Sequence, residues 1–260
     1  MDTILFLAHT DADDSLGKAA LESLAVAKNL TAGLPGSVLV VGLVGRGVQS
    51  AANQIAGCAA ARFLGVAGPD FAASRYSTDI VAVEALARAA AATIVIAPAT
   101  SRWNRVLAGA AQRLGGRIDA HVTGAAATDG QPGVTRWYYR QRMEAVVQRA
   151  RRPWFILLDP GCGEAWSGTP GQVQIEPVSP ALTDANRRTT VAGIRAPSAD
   201  HQTIRPDARL LFVAGAGWTK TQPDGKSHPE EAEQLILDFL ARSKASLGGT
   251  KSLVDLSGEG

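Results

Sequence analysis

Cysteine is scarce in this chain of 260 residues. Cys58 and Cys162 stand far apart, and neither belongs to a Cys-x-x-Cys pair. A disulfide framework, a zinc site and an iron–sulfur cluster therefore have no support in the sequence, and two ordinary thiols in a reducing compartment are expected. Charge of one sign is lacking too. The formal net charge is +2, so no whole-molecule field drives the protein onto nucleic acid or membrane. No apolar run approaches the roughly 18 residues of a membrane span. Met1-Asp2 leads at once into the short run from Ile4 to Ala8, without the basic leader of a secretory segment. A cytoplasmic location is the expectation. Four histidines, His9, His121, His201 and His228, are scattered without i, i+4 spacing, which leaves no metal-ligating pattern. Internal repeats and low-complexity tracts are absent as well.

What is present is alternation. Thr3 to Ala8 is an apolar run of buried-strand size, followed by a polar turn from His9 to Asp14. Leu16, Ala20, Leu24 and Ala27 then recur at helical spacing, with Ser15 placed to cap. Ser37 to Val44 reads as a second strand, Val48 to Ala56 as a helix, and Ala61 to Val66 as a third strand. Ser77 to Ala91 is an alanine-rich helix, and Thr93 to Ala97 a fourth strand ended by Pro98. Trp103 to Leu114 is the next helix. Such alternation builds a parallel sheet covered on both faces, with ligands at the carboxyl ends of the strands.

The pattern changes after residue 117. Ile118 to Ala126, Val134 to Arg142, Glu144 to Gln148 and Pro153 to Leu158 read as successive strands, an antiparallel addition to the parallel sheet. From Asp159 to Pro206 the chain is rich in Pro, Gly, Ser and Thr, and residues 196–206 read as a linker. One further unit follows. Leu210 to Ala214 is a strand with a glycine-rich exit, Gly215-Ala216-Gly217. Pro229 opens a helix with Glu230 and Glu231 in its first turn and Leu235, Ile236, Phe239 and Leu240 on its apolar face, and Gly248-Gly249 stop it. So short a unit has too little core to stand alone. The expected domains are residues 1–195, a linker, and residues 207–260.

Candidate chemistry is sparse. Gly215-Ala216-Gly217 is half of a phosphate-binding turn, in which backbone amides at a strand exit cradle an anion; a plain structural turn is the competing reading. Gly42 to Gly47 lacks dinucleotide spacing and reads as a tight strand-to-helix turn. Thr100 and Ser101 carry hydroxyls at a strand end, but spacing picks out no base to activate them, so a helix cap or ligand-facing loop is expected. Asp11, Asp13 and Asp14 form a solvated acidic turn in preference to a cation site. Arg136, Arg140, Arg142, Arg149, Arg151 and Arg152 crowd round Trp137, Tyr138 and Tyr139. That pattern suits an acidic protein surface or a solvated sheet edge better than RNA, because the chain as a whole is near neutral.

In combination these segments resemble the electron transfer flavoprotein alpha-subunit family. The first strand with LESLAVAKNL (21–30) resembles that family's opening. The stretch 94–125, IVIAPATSRWNRVLAGAAQRLGGRIDAHVTGA, resembles its strand with an APAT-like loop (Ala97 to Thr100), the arginine-bearing helix (Arg113) and the strand near an aspartate (Asp119). VTRWYYRQRMEAVVQ (134–148) resembles its strand pair begun by an arginine, here Arg136, and RPDARLLFVAGAGW (205–218) stands where the family has its linker and the first strand of the flavin domain. The likeness is strongest over residues 1–158 and runs in order to about 255.

The resemblance implies an α/β fold: a mostly parallel sheet with helices on both faces and an antiparallel extension, then a shortened, flavin-domain-like second segment. It implies an electron carrier without catalytic residues of its own, paired with a beta-like subunit and fed by a flavin dehydrogenase. The implied cofactor is FAD, which does the redox chemistry while protein positions and tunes it. The residues it places at the cofactor are Gly215, Ala216, Gly217, Thr250 and Lys251. Gly217 stands where the family has an arginine, and Thr250-Lys251 where it has serine–arginine. The family's later glutamine–threonine–glycine and glycine–isoleucine–serine–glycine segments would fall beyond Gly260. Two alternatives follow: a flavin-less structural subunit of such a complex, or an adenine-nucleotide-binding module.

Overall fold

A computed structural model describes residues 1–193 and 208–253. The expected linker, 196–206, lies outside the described residues. The chain divides into two compact units, Met1–Ala192 and Gly193–Gly260.

The first unit is built on strands whose residues are buried nearly end to end. β1 (Thr3–His9), β2 (Val38–Gly45), β3 (Arg62–Ala67) and β4 (Ile94–Pro98) are valine-, leucine- and isoleucine-rich runs, the composition of strands covered on both faces. They alternate with α1 (Lys18–Gly33), the short α2 (Gln49–Gln54), α3 (Tyr76–Ala89) and α4 (Ser101–Arg113). Then come β5 (Arg117–Thr128), β6 (Gln131–Tyr138), β7 (Met143–Val147) and β8 (Trp154–Leu158). β9 is the two-residue strand Glu176–Pro177, and α5 a single turn, Asp184–Arg187. The nine strands form one sheet in the order β7-β6-β5-β8-β4-β1-β2-β3-β9.

Pairing is parallel from β9 to β5 and antiparallel only in β5-β6-β7. The antiparallel extension is therefore present, but Trp154–Leu158 is not part of it. β8 inserts between β4 and β5 as a central parallel strand, with all five residues buried. Its unbroken apolar sequence is the signal for that position, since an edge or one-sided strand would alternate.

Side-chain alternation divides the core into two layers. Ile4, Phe6 and Ala8 of β1 pack with Leu24, Ala27 and Leu30 of α1 on one face. Leu5 and Leu7 pack with Ile80, Val83 and Leu86 of α3 and Leu107 of α4 on the other. Each fully buried Leu, Ile or Phe contributes about 1.5–3 kcal/mol, so these layers dominate the stability. Ser15 does not cap α1. Gly17 occupies the N-cap, and the Ser15 hydroxyl instead donates to Asp13 Oδ1 at 2.7 Å, closing the acidic turn on itself.

The second unit is a strand–helix–strand motif: β10 (Leu211–Ala214), α6 (Pro229–Ser243) and β11 (Ser246–Gly249), with β10 and β11 parallel. Pro229 sits in the first turn with Glu230 and Glu231, as the sequence predicts. The helix stops earlier than Gly248-Gly249. Lys244 takes a left-handed conformation (φ 54°) as its C-cap, and the two glycines lie in β11, where parallel pairing to Val213 and Ala214 claims their backbones. The apolar side of α6 is only partly covered: Phe239 packs on Phe212 at 5.5 Å, while Leu235 stays 60% exposed.

Candidate functional site

In the first unit the chain runs from β1 outward to β2 and β3 on one side, then returns to place β4 on the other side of β1, so the strand order reverses between β1 and β4. Such a reversal opens a crevice, and the residues lining it come from the strand exits. There His9 Nε2 lies 3.1 Å from Thr100 Oγ1, and the His9 ring meets Trp103 edge-on at 5.5 Å. Burial, followed by the nearby Arg102 charge, holds the His9 imidazole below its ordinary pKa, in the neutral form. Thr100 caps α4, its hydroxyl accepting from the Trp103 amide at 3.3 Å, as the cap reading predicts. The partnership of Thr100 with His9 escaped sequence spacing, because it depends on β1 and β4 being sheet neighbours although 91 residues separate the pair.

Beneath this exit Arg102 binds Asp79 through Nη2 to Oδ1 (2.6 Å) and Nε to Oδ2 (2.9 Å), and a further bond reaches Phe71 O. Both residues are buried. The glycine run from Gly42 to Gly47 is explained by packing. A Cβ on Gly45 would overlap Thr10 Oγ1, and one on Gly47 would lie 2.7 Å from Asp14 Oδ2. Asp14 Oδ1 accepts from the Gly47 amide at 2.9 Å, so this turn binds its own chain. No group of acidic, histidine or cysteine side chains suited to a metal ion occurs among the described residues. Cys58 is buried and Cys162 half-buried, and burial pushes both thiols up.

Two residues that the resemblance singled out meet directly. Asp119 Oδ1 accepts from Arg136 Nη1 at 2.8 Å, and Arg149 and Trp154 complete the carboxylate's partners. The pair ties β5 to β6, a structural role.

In the second unit the register of β10 and β11 brings together the two clusters placed at the cofactor. Ala214 pairs with Gly249, so Gly215-Ala216-Gly217 and Thr250-Lys251 leave the sheet side by side at its carboxyl end. The Thr250 amide donates to Ala214 O at 2.8 Å, and a Cβ on Gly215 would touch only the Thr250 methyl, at 3.9 Å. Ala216–Thr219 makes one tight turn, and a Cβ on Gly217 would meet nothing within 4 Å. A cavity of about 550 Å³ opens there, lined by Gly215, Gly217, Trp218, His228 and Glu231 among others. That volume lies in the range of small-molecule sites, roughly 300–1,000 Å³. Gly215 and Gly217 line this cavity, whereas Thr250 and Lys251, at the neighbouring strand exit, are not among its lining residues; backbone amides at such an exit are the groups that could hold an anion. Glu231 lines the same cavity. His228 bridges Asp224 Oδ2 (2.5 Å) and Glu231 Oε2 (3.6 Å).

A mostly parallel sheet with crossover helices on both faces and its exits gathered at one end defines an α/β protein. The chain belongs to a particular family of that type: the model of the electron transfer flavoprotein domain matches residues 4–192, consistent with an alpha-like member. A comparison with curated proteins finds no match. Membership supports an electron-transfer-flavoprotein-like role, in a family associated with flavin, whose members are in general carriers of electrons that work with a partner subunit. Among the described residues no helix is long and apolar enough to cross a membrane.

Proposed function

We propose that this chain is an alpha-like electron transfer flavoprotein subunit that relays electrons from a flavin dehydrogenase in the cytoplasm. Its partner is a beta-like subunit, and FAD sits between the partner and the strand exits of the second unit. The observation that supports this most is the parallel register of β10 and β11, which sets Gly215, Ala216 and Gly217 beside Thr250 and Lys251. In this reading the glycine amides and the Thr250 hydroxyl bond the phosphates. Lys251 neutralises their charge, as a point charge without the two-pronged geometry of arginine. The flavin, when bound, accepts and releases the electrons. The protein supplies position, exclusion of water and local charge, so the relay asks no acid or base of these residues.

The test is the absorbance of this chain co-expressed and purified with its beta-like subunit. The expected result is a yellow complex that releases FAD on denaturation. A colourless complex containing both subunits overturns the cofactor assignment. A second reading, a flavin-less interaction subunit, is favoured by Asp224 and Glu231 beside the cavity and by Gly217 where the resemblance places an arginine. It predicts that colourless complex.

A further inference from the structure

The antiparallel end of the sheet carries features that the electron-carrier role does not use. Among the described residues β7 pairs with β6 alone, so its outer row of backbone amides and carbonyls has no strand partner there. Open edges are normally blunted by charge, proline or a covering segment. Here the edge strand instead presents Met143, 56% exposed, and Val146, 79% exposed. Tyr139 stands beside them in the β6–β7 turn, 74% exposed, and Tyr139, Arg140 and Gln141 all take positive φ (47°, 56° and 63°).

The charge around this edge is unbalanced. Arg136 and Arg149 are engaged with Asp119, and Arg152 with Asp2. Arg140, Arg142 and Arg151 have no ion-pair partner among the described residues, and all three are exposed. Glu144 is the one acidic side chain on β7. The hairpin therefore offers two uncompensated cations in its turn, Arg140 and Arg142, an unpaired backbone row on β7, and Met143 and Val146 exposed on opposite faces of that strand, with Arg151 four residues past its end.

We propose that the β7 edge is a docking site for an extended acidic segment of a partner protein, which adds as a further strand. Backbone bonds to β7 give the affinity, apolar residues on one face of the added strand cover Val146, and carboxylates meet Arg140 and Arg142 at the turn end of β7. Charge decides between occupants. A second copy of this chain would bring the same excess of cations to the same edge, and like charges across paired strands are unfavourable. RNA would satisfy the arginines but would leave the apolar pair and the backbone row unused. The inference does not depend on the cofactor assignment.

The experiment uses the full chain and fluorescein-labelled short peptides, read by anisotropy at several salt concentrations. The probes are an alternating Glu–Val peptide, the matching Lys–Val peptide, the Glu–Val peptide N-methylated at alternate backbone positions, and oligouridine. The proposal expects Glu–Val binding that weakens with salt and little binding of the Lys–Val or N-methylated peptides. Arg140→Glu with Arg142→Glu, both at exposed positions, should weaken Glu–Val binding about tenfold with an unchanged circular dichroism spectrum. No binding of the Glu–Val peptide overturns the proposal. So does Lys–Val binding of equal strength, tighter binding of oligouridine, indifference to the arginine changes, or a chain that dimerises through β7 in sedimentation and loses the dimer on Val146→Lys.

Discussion

Arg149 grips the carboxylate of Asp119 at two points, Nε to Oδ2 and Nη2 to Oδ1, each at 2.9 Å. Arg136 adds a bond from β6, and the Trp154 indole one from β8. One buried carboxylate thus joins the parallel sheet to its antiparallel extension. Burial alone would raise its pKa, but Arg149, Trp154 and Arg136 outweigh burial and hold Asp119 below its ordinary 3.8. Asp119→Ala leaves the Trp154 indole and the partly buried Arg136 guanidinium without this partner, while Arg149 can turn to water, and the expected cost is about 2–3 kcal/mol in urea denaturation. A carboxylate with a depressed pKa contributes stability above its unfolded pKa and loses it as pH falls through the folded value. Wild-type stability should therefore fall below about pH 4, and the Asp119→Ala protein should show a flatter acid limb there.

The buried pair of Arg102 and Asp79 makes a different prediction. Asp79→Ala leaves a guanidinium buried with Phe71 O as its sole remaining partner of those bonds. A loss of about 3–5 kcal/mol is expected. Replacing both, Asp79→Leu with Arg102→Met, removes the charges together and should recover most of that loss. A double variant as unstable as Asp79→Ala would mean that the pair's specific geometry matters more than the stranded charge. Thermal melting of the three proteins decides.

His9 is held neutral by burial and then by Arg102. An imidazole whose folded pKa lies below its ordinary 6.5 binds fewer protons folded than unfolded. Its contribution is complete above that value and is lost as pH falls toward the folded pKa. In an NMR titration the His9 ring should change charge below pH 6.5, and exchanging His9→Gln should remove part of the stability loss between pH 7 and 5, values set by the ordinary histidine range. A His9 titration at or above 6.5 would show the crevice to be wetter than its packing against Trp103 implies.

Much of the first unit was legible because its signals are local. Valine- and leucine-rich runs of strand length, separated by helices of 3.6-residue period, give parallel strands without knowledge of their order. The position of Trp154–Leu158 was less visible, because sequence order placed it after two antiparallel strands and strand order is a tertiary property. Thr100 was legible as a cap, but His9 as its partner was not, since nothing local links β1 to β4. Arg136 and Asp119 were both noticed, yet their bond depends on the β5–β6 register. At the candidate cofactor site, the strand and its glycine exit could be read directly. The end of α6 was misplaced by about four residues, because a lysine, Lys244, took the left-handed cap that glycine usually fills and that the sequence reading gave to Gly248.

The last prediction separates folding from cofactor binding at Gly217. A side chain there would enter open space, with no atom within 4 Å of its Cβ, and the residue has no positive φ to protect. Substitution should therefore change stability by no more than about 0.5 kcal/mol, as at an ordinary surface position. Its effect on a bound phosphate should depend on sign. Gly217→Asp would add a carboxylate to the cavity that Glu231 already lines and should lower the flavin content of the purified complex about tenfold, roughly 1.4 kcal/mol in affinity. Gly217→Arg would supply a two-pronged cation at the same point and should slow flavin loss on dialysis. Flavin content is read from absorbance per mole of complex, and stability from melting of the same samples. Equal flavin content in both variants, with unchanged melting, would place the cofactor away from this strand exit. Opposite shifts at constant stability would place its phosphates against Gly217, with Lys251 as the neighbouring cation.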